Sequence, residues 1–209
     1  MDARGFTPAH DGNITVRVGV DKFLCTPSLI NKARMQPSDI AIIDGDGSQM
    51  SGDRPRSSEA LLHLEIYRRR PDVVAVVHCH PPHAVAVAMT LQRLPRWVLP
   101  EVEVLLGEVP IVPYATPGTA ELGQSIRPFV DLSVAMILAN HGTVTAGDSL
   151  EQAFWRTEVL DAYCHQLILA RSLGPVRTLN DDQRDALIRI KEHWQQRGSS
   201  DQSSGFQPE

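Results

Sequence analysis

Two short segments concentrate the residues that could do chemistry, His78-Cys79-His80 and Asn140-His141-Gly142. In an extended chain, residues two apart point to the same side, so His78 and His80 can converge on one ion while Cys79 faces the other way. His141 follows the apolar run Val134 to Leu138 and precedes Gly142, which permits the close backbone turn a strand-end ligand needs. Upstream, Glu59 in Pro55-Arg56-Ser57-Ser58-Glu59 falls on the side of its helix that carries Leu62 and Ile66, and an acid turned inward has a partner or a job. Three histidines with a displaceable carboxylate make an open catalytic zinc site rather than a closed structural one. Such an ion would polarise a carbonyl or hydroxyl and stabilise a developing enediolate. Glu59 would be a metal ligand at rest and a proton carrier once substrate displaces it.

Each residue also has an ordinary reading. An HxH pair occurs incidentally, His141 could be a loop histidine bonded to backbone, and Glu59 could simply complement a helix N-terminus capped by Ser57 or Ser58. His63, one turn after Glu59, could replace one of the ligands, but a place behind them or in the core is the favoured reading. His83 is placed to cap a helix, and His10, His165 and His193 have no convergent partners. A second set, Gly12-Asn13, Thr26-Pro27-Ser28 and Ser57-Ser58, offers hydroxyl, amide and backbone N–H groups suited to a phosphate cradle. Taken singly these are turn and cap residues.

The elements that must position these residues read as a mixture of strands and helices. Alternation predicts strands over Asn13 to Val18 and Lys22 to Cys25, with a third over Ile40 to Ile43 ended by Asp44-Gly45-Asp46-Gly47. A helix is expected from Glu59 to about Arg70, then a fully apolar strand, Val73 to Val77, leading into the HxH pair. Pro81-Pro82 opens a helix from His83 to about Met89, Val109 to Val112 and Val134 to Leu138 are strand-like, and Thr116 to about Phe129 reads as a helix interrupted near Pro128. Ser149 to Gln152 has the form of a capping box before a long helix stopped by Gly174-Pro175. A last helix, about Asp181 to Arg197, precedes a polar tail, Gly198 to Glu209, expected to be mobile. Without a regular βαβ repeat, GxGxxG or P-loop, an α+β or mixed α/β sandwich fits better than a doubly wound sheet.

With 209 residues, 42% of them hydrophobic, and no linker, one domain over residues 1–197 is expected. A formal charge of −5 and the lack of a basic, aromatic-studded stretch argue against nucleic-acid binding. No segment approaches the ~20 uninterrupted apolar residues of a membrane span, so a soluble cytoplasmic protein is expected. Cys25, Cys79 and Cys164 form neither a disulfide framework nor a CxxC knuckle.

The ordered series Asp11-Gly12-Asn13-Ile14-Thr15-Val16-Arg17, Thr26-Pro27-Ser28, Ser57-Ser58-Glu59, His78-Cys79-His80, Pro113-Tyr114-Ala115-Thr116-Pro117-Gly118-Thr119 and Asn140-His141-Gly142 resembles the class II aldolase/adducin family, specifically its L-fuculose-phosphate aldolase branch, from about Gly5 to Leu173. The resemblance implies a three-layer α/β/α sandwich around a mainly antiparallel sheet. It also implies a zinc-dependent lyase acting on a phosphorylated ketose, and a homotetramer with active sites between subunits. By motif, His78, His80 and His141 match the zinc ligands, Glu59 the acid/base that can also contact metal, and Gly12, Asn13, Ser28, Ser57 and Ser58 the residues that hold the substrate phosphate. Manganese or cobalt would suit the same ligands. Related epimerase, dehydratase or decarboxylase chemistry, or an adducin-like interaction domain without enzymatic activity, are the alternatives. Three features depart from the pattern. Only Met1 to Asp11 precede the Gly-Asn motif where a helix is usual, so either that helix is absent, which would leave a neighbouring element uncovered, or the start site was chosen late. Leu29 stands where a glycine follows the phosphate-turn Ser or Thr. The tyrosine that the fuculose aldolase branch uses there is missing between Arg96 and Pro110, so protonation of the aldehyde half is unassigned, and Glu101 or Glu103, which lie there instead, could alter aldehyde specificity or simply be solvated.

Overall fold

A computed structural model describes the backbone of residues 1–201 and the side chains through Glu192. The chain begins with antiparallel strands β1 (Asn13–Gly19), β2 (Lys22–Cys25), β3 (Ala41–Ile43) and β4 (Gln49–Ser51). Helix α1 (Ala60–Arg69) crosses to strand β5 (Ala75–Cys79), followed by α2 (Pro82–Thr90), α3 (Pro100–Leu105) and strand β6 (Ile111–Val112). Short helices α4 (Ala120–Ser125) and α5 (Arg127–Val130) lead into β7 (Ala135–Leu138) and β8 (Thr143–Gly147), then the long α6 (Leu150–Leu173) and α7 (Asp181–Asp201). The last helix thus continues past the expected end at Arg197. The tail expected from Gly198 lies outside the described residues from 202 onward.

The strands form one eight-stranded sheet in the order β4-β3-β2-β1-β5-β8-β7-β6. Every pairing is antiparallel except β6 with β7, so the sheet is mixed, with a parallel edge that the expectation of a mainly antiparallel sheet did not include. Strands buried on both faces carry apolar residues in both phases, and β7 shows the consequence. Met136 and Leu138 pack with Leu62, Leu64 and Ile66 of α1, with Leu122 of α4 and Val130 of α5, and with Ile126 between those two helices. Ala135 and Ile137 pack instead with Ala84 and Ala88 of α2, Val102 of α3 and Leu160 and Leu167 of α6. Full burial of each of the Leu, Ile, Val and Met side chains among these contributes about 1.5–3 kcal/mol. The same alternation sorts β5: Val76 faces α1, whereas Ala75, Val77 and Cys79 face Ala153 of α6.

Candidate metal centre

The centre lies where β5 and β7 end. β1 and β5 pair with Asn13 opposite His78, and Glu59 is the residue on which α1 begins. His78 is fully buried on the α1 side of the sheet, and Cys79 on the opposite side is fully buried with Thr143 beside it. His141 sits in the turn joining β7 to β8, closed by Leu138 N donating to Gly142 O at 2.8 Å. Asn140, at φ +54°, supplies the left-handed step of that turn. Gly142 is needed for a different reason from the one expected. A Cβ there would meet Cys79 O at 2.5 Å and His80 Cδ2 at 2.6 Å, so only glycine lets this turn lie against the HxH segment.

One nitrogen from each of His78, His80 and His141 lies within 4.8 Å of the others. Glu59 faces all this with Oε2 3.2 Å from His78 Nε2 and Oε1 3.4 Å from His141 Nε2. Asn13 Nδ2 donates to Glu59 Oε2 at 2.8 Å and fixes that oxygen. Glu59 does not act as a helix-capping acid, because its own backbone is the cap position and Ser57 Oγ accepts its N–H at 3.3 Å.

The proton inventory suits a divalent cation. Thr143 O can only accept, so His78 Nδ1 donates to it at 2.9 Å, and His80 Nδ1 donates to Asp11 Oδ2 at 3.1 Å. Both Nε2 lone pairs are then turned to each other at 3.2 Å, an arrangement that a shared cation relieves. Burial, joined by the charge of His78, lowers the pKa of His80 and takes that of His141 down to about 4, so both stay in the neutral form that binds metal. Burial pushes the Glu59 carboxyl up, but the hydrogen bond and charge of His78, the charge of His141 and the Asn13 bond together bring it well below the usual carboxylate range. Glu59 Oε1 is buried without a hydrogen-bond donor, as expected of a carboxylate oxygen reserved for an ion.

The proposed phosphate residues come together in part. Pro27 bridges to Arg56, Ser28 Oγ donates to Arg56 O at 3.0 Å, and Ser57 N donates to Thr26 O at 3.1 Å, so the two serine segments adjoin. Gly118 packs against Ser58, and a Cβ on it would lie 3.3 Å from the Ser58 Cβ. Gly12 has φ +72°, and a Cβ on it would lie 2.9 Å from His78 O. Leu29 adopts φ +55° with its side chain exposed, so the turn keeps the left-handed backbone of a glycine without being one. Asn13 spends its amide N–H on Glu59.

His63 is, as expected, a core residue bonded to Thr15 at 2.8 Å and not a ligand. Other expectations change. His83 does not cap α2; Asp161 of α6 does, accepting from the backbone N–H of His83 and Ala84 at 2.9 and 3.0 Å. Glu103 is buried against Arg96 and the N–H of Trp97 and lies outside the metal centre, whereas Glu101 is exposed. The side chain of His193 lies outside the described residues. Sequence reasoning missed Asp11 and Thr143, the residues that orient the ligating rings. The signal for Asp11 was the strand register. Asn13 pairs with His78 in antiparallel fashion, and two residues outward on both strands are Asp11 and His80.

The chain is similar to known proteins. The chain is 32% identical over 180 residues to 3-oxo-tetronate 4-phosphate decarboxylase of Escherichia coli (strain K12), covering 84% of each. It is 31% identical over 184 residues to L-fuculose phosphate aldolase of the same strain, covering 88% of this chain and 85% of that protein. A solved L-fuculose 1-phosphate aldolase superposes with a TM-score of 0.82 at 28% identity, over 90% of this chain and 88% of that one. The sequence profile described as the Class II Aldolase and Adducin N-terminal domain matches residues 1–168, and with the three-histidine centre at the strand ends this places the chain in the class II aldolase/adducin family.

Proposed function

We propose that the protein is a divalent-metal-dependent carbon–carbon lyase acting on a small sugar phosphate, with zinc as the ion and aldol cleavage of a phosphorylated ketose such as L-fuculose 1-phosphate as the leading reaction. The observation that carries this reading is the convergence of three imidazoles opposite a carboxylate, with the outer nitrogens of His78 and His80 already spent as donors. Bound there, a divalent ion supplies Lewis acidity toward substrate oxygens. His78, His80, His141 and Glu59 would hold it. Glu59 carries the proton, and Asn13 keeps its carboxylate aimed at the centre. Gly12, Asn13, Ser28, Ser57 and Ser58 form the phosphate end, with Leu29 N–H at the turn.

A decarboxylase acting on a 3-oxo sugar-acid phosphate is the second reading. It is favoured by the 32% identity to 3-oxo-tetronate 4-phosphate decarboxylase. Both reactions leave an electron pair beside a carbonyl, and the ligand set serves either. In this reading the protein is a cytoplasmic homotetramer with one domain through residue 197. No described helix is long and apolar enough to cross a membrane.

Zinc-loaded protein should be incubated with ketose 1-phosphates and, separately, with 3-oxo-tetronate 4-phosphate. Aldehyde release from the former supports the aldolase, and carbon dioxide from the latter supports the decarboxylase. Turnover of neither class by metal-loaded protein would contradict the proposal.

A further inference from the structure

Behind Glu59, α1 and β1 are joined by a polar ladder that continues into the core. Asn13 bonds Glu59, Thr15 bonds His63 and Tyr67, and Arg17 Nη2 donates to Tyr67 O at 2.9 Å. The rungs match because four helical residues rise about 6 Å and two strand residues about 6.7 Å. Asn13, Thr15, His63 and Tyr67 are all buried, and His63 is completely so.

The hydrogen bonds of this ladder fit a single one-way arrangement in which every short contact carries one proton. The carbonyls of Thr15, at 2.9 Å, and Val74, at 3.4 Å, can only accept, so the single Tyr67 hydroxyl proton goes to this carbonyl pair and foremost to Thr15 O. Tyr67 Oη is then an acceptor for the Thr15 hydroxyl at 3.0 Å. With its proton given to Tyr67 in this arrangement, Thr15 Oγ1 accepts from His63, and Nδ1 of His63 carries the proton across the 2.8 Å contact. Nε2 is left as a buried acceptor without a donor among the described residues. Burial holds the ring neutral, with its pKa down to about 3.

We propose that His63 is a positioning residue for Glu59, fixed as the Nδ1–H tautomer by this one-way relay through Thr15 and Tyr67. It sits one helical turn after Glu59 on the face that meets β1. By locking the first turn of α1 to the strand, it keeps the Glu59 carboxylate within reach of both Asn13 and the histidines. A ring of the opposite tautomer would put a buried N–H without a partner at Nε2 and would leave Thr15 Oγ1 and His63 Nδ1 facing each other as two acceptors with no proton between them. The inference deepens the proposed function and rests on it for the role of Glu59. The tautomer itself is independent of any substrate.

The test uses Tyr67→Phe, which removes one hydroxyl far from the metal centre. Nitrogen-15 spectra of the zinc-loaded wild type, assigned against His63→Gln, should show the His63 proton on Nδ1. In Tyr67→Phe the Thr15 hydroxyl loses its acceptor and turns to Nδ1, so the His63 proton should move to Nε2. Turnover should fall about tenfold with KM and metal stoichiometry unchanged. The visible spectrum of cobalt-substituted protein should shift with it, reporting the displaced carboxylate without any substrate. A wild-type proton on Nε2, or on both nitrogens, would overturn the relay. A proton that moves while turnover and cobalt spectrum stay at wild-type values would overturn the positioning role. If the wild type cleaves no sugar phosphate, the functional reading fails while the nitrogen and cobalt spectra still decide this inference. Should Tyr67→Phe not fold, Thr15→Ser, which keeps the relay, and Thr15→Val, which breaks it, give the same contrast.

Discussion

At the scale of single residues, the ligands were legible and their supports were not. HxH spacing selects His78 and His80 whatever the tertiary structure, because side-chain alternation is local. Asp11 and Thr143 act across strands, so finding them requires a register that no local pattern carries. Their roles can be measured. Asp11→Ala frees His80 Nδ1 from its carboxylate, and we expect metal affinity to fall about 10- to 100-fold with the fold intact, read by competition with a chromophoric chelator. Unchanged affinity would mean that Asp11 does not orient the ring. Glu59→Gln keeps the shape and the nearby Asn13 but removes the proton carrier. We expect a turnover loss of about 100-fold or more with an unchanged circular dichroism spectrum, and full turnover would move the base elsewhere.

Elements were recovered where pattern and burial agree. The strand leading to the HxH pair and α1 announce themselves by apolar runs and periodicity, and Ser149 does cap α6, accepting from Gln152 N at 3.2 Å. β8 escaped because Thr143-Val144-Thr145-Ala146-Gly147 is a central strand of small and polar residues. Its buried hydroxyls are satisfied internally, as in the 2.7 Å contact of Thr145 with Thr157. The helix expected from Thr116 starts only at Ala120 and breaks into two short pieces. Gly118 turns with φ +77° against Ser58, and Pro128 falls at the start of a new helix. The β7–β8 turn carries the sharpest prediction at this scale. In Gly142→Ala the added methyl collides with Cys79 O and His80, so we expect destabilisation by about 1–3 kcal/mol together with weakened metal binding. Denaturant melts with and without zinc would measure both, and wild-type values in both would show that the turn does not press on the HxH segment.

Over the whole molecule, one sheet covered on both faces brings His141, the HxH pair and Glu59 from widely separated stretches of chain to one end of adjoining strands. Motif order identified the family through this shared arrangement, while the parallel β6 edge lay beyond what a short apolar run could disclose. Burying His63 in that core links stability to pH. Its pKa is about 3 when folded and near 6.5 when unfolded, so above 6.5 both states are neutral and nothing is lost. As pH falls from about 6.5 toward about 3, only the unfolded chain takes the proton, and stability declines. Urea melts of metal-free protein across that window should therefore fall less steeply for His63→Gln than for wild type, and parallel slopes would contradict the assignment.

The central claim is that His78, His80, His141 and Glu59 hold a catalytic divalent ion, and its most direct test is the metal content of purified, zinc-reconstituted protein measured by plasma mass spectrometry beside His78→Ala. We expect about one ion per chain in the wild type, as in open three-histidine sites, and near-complete loss in the variant with its fold preserved. A wild type that retains no ion, or a variant that retains it fully, would contradict the account.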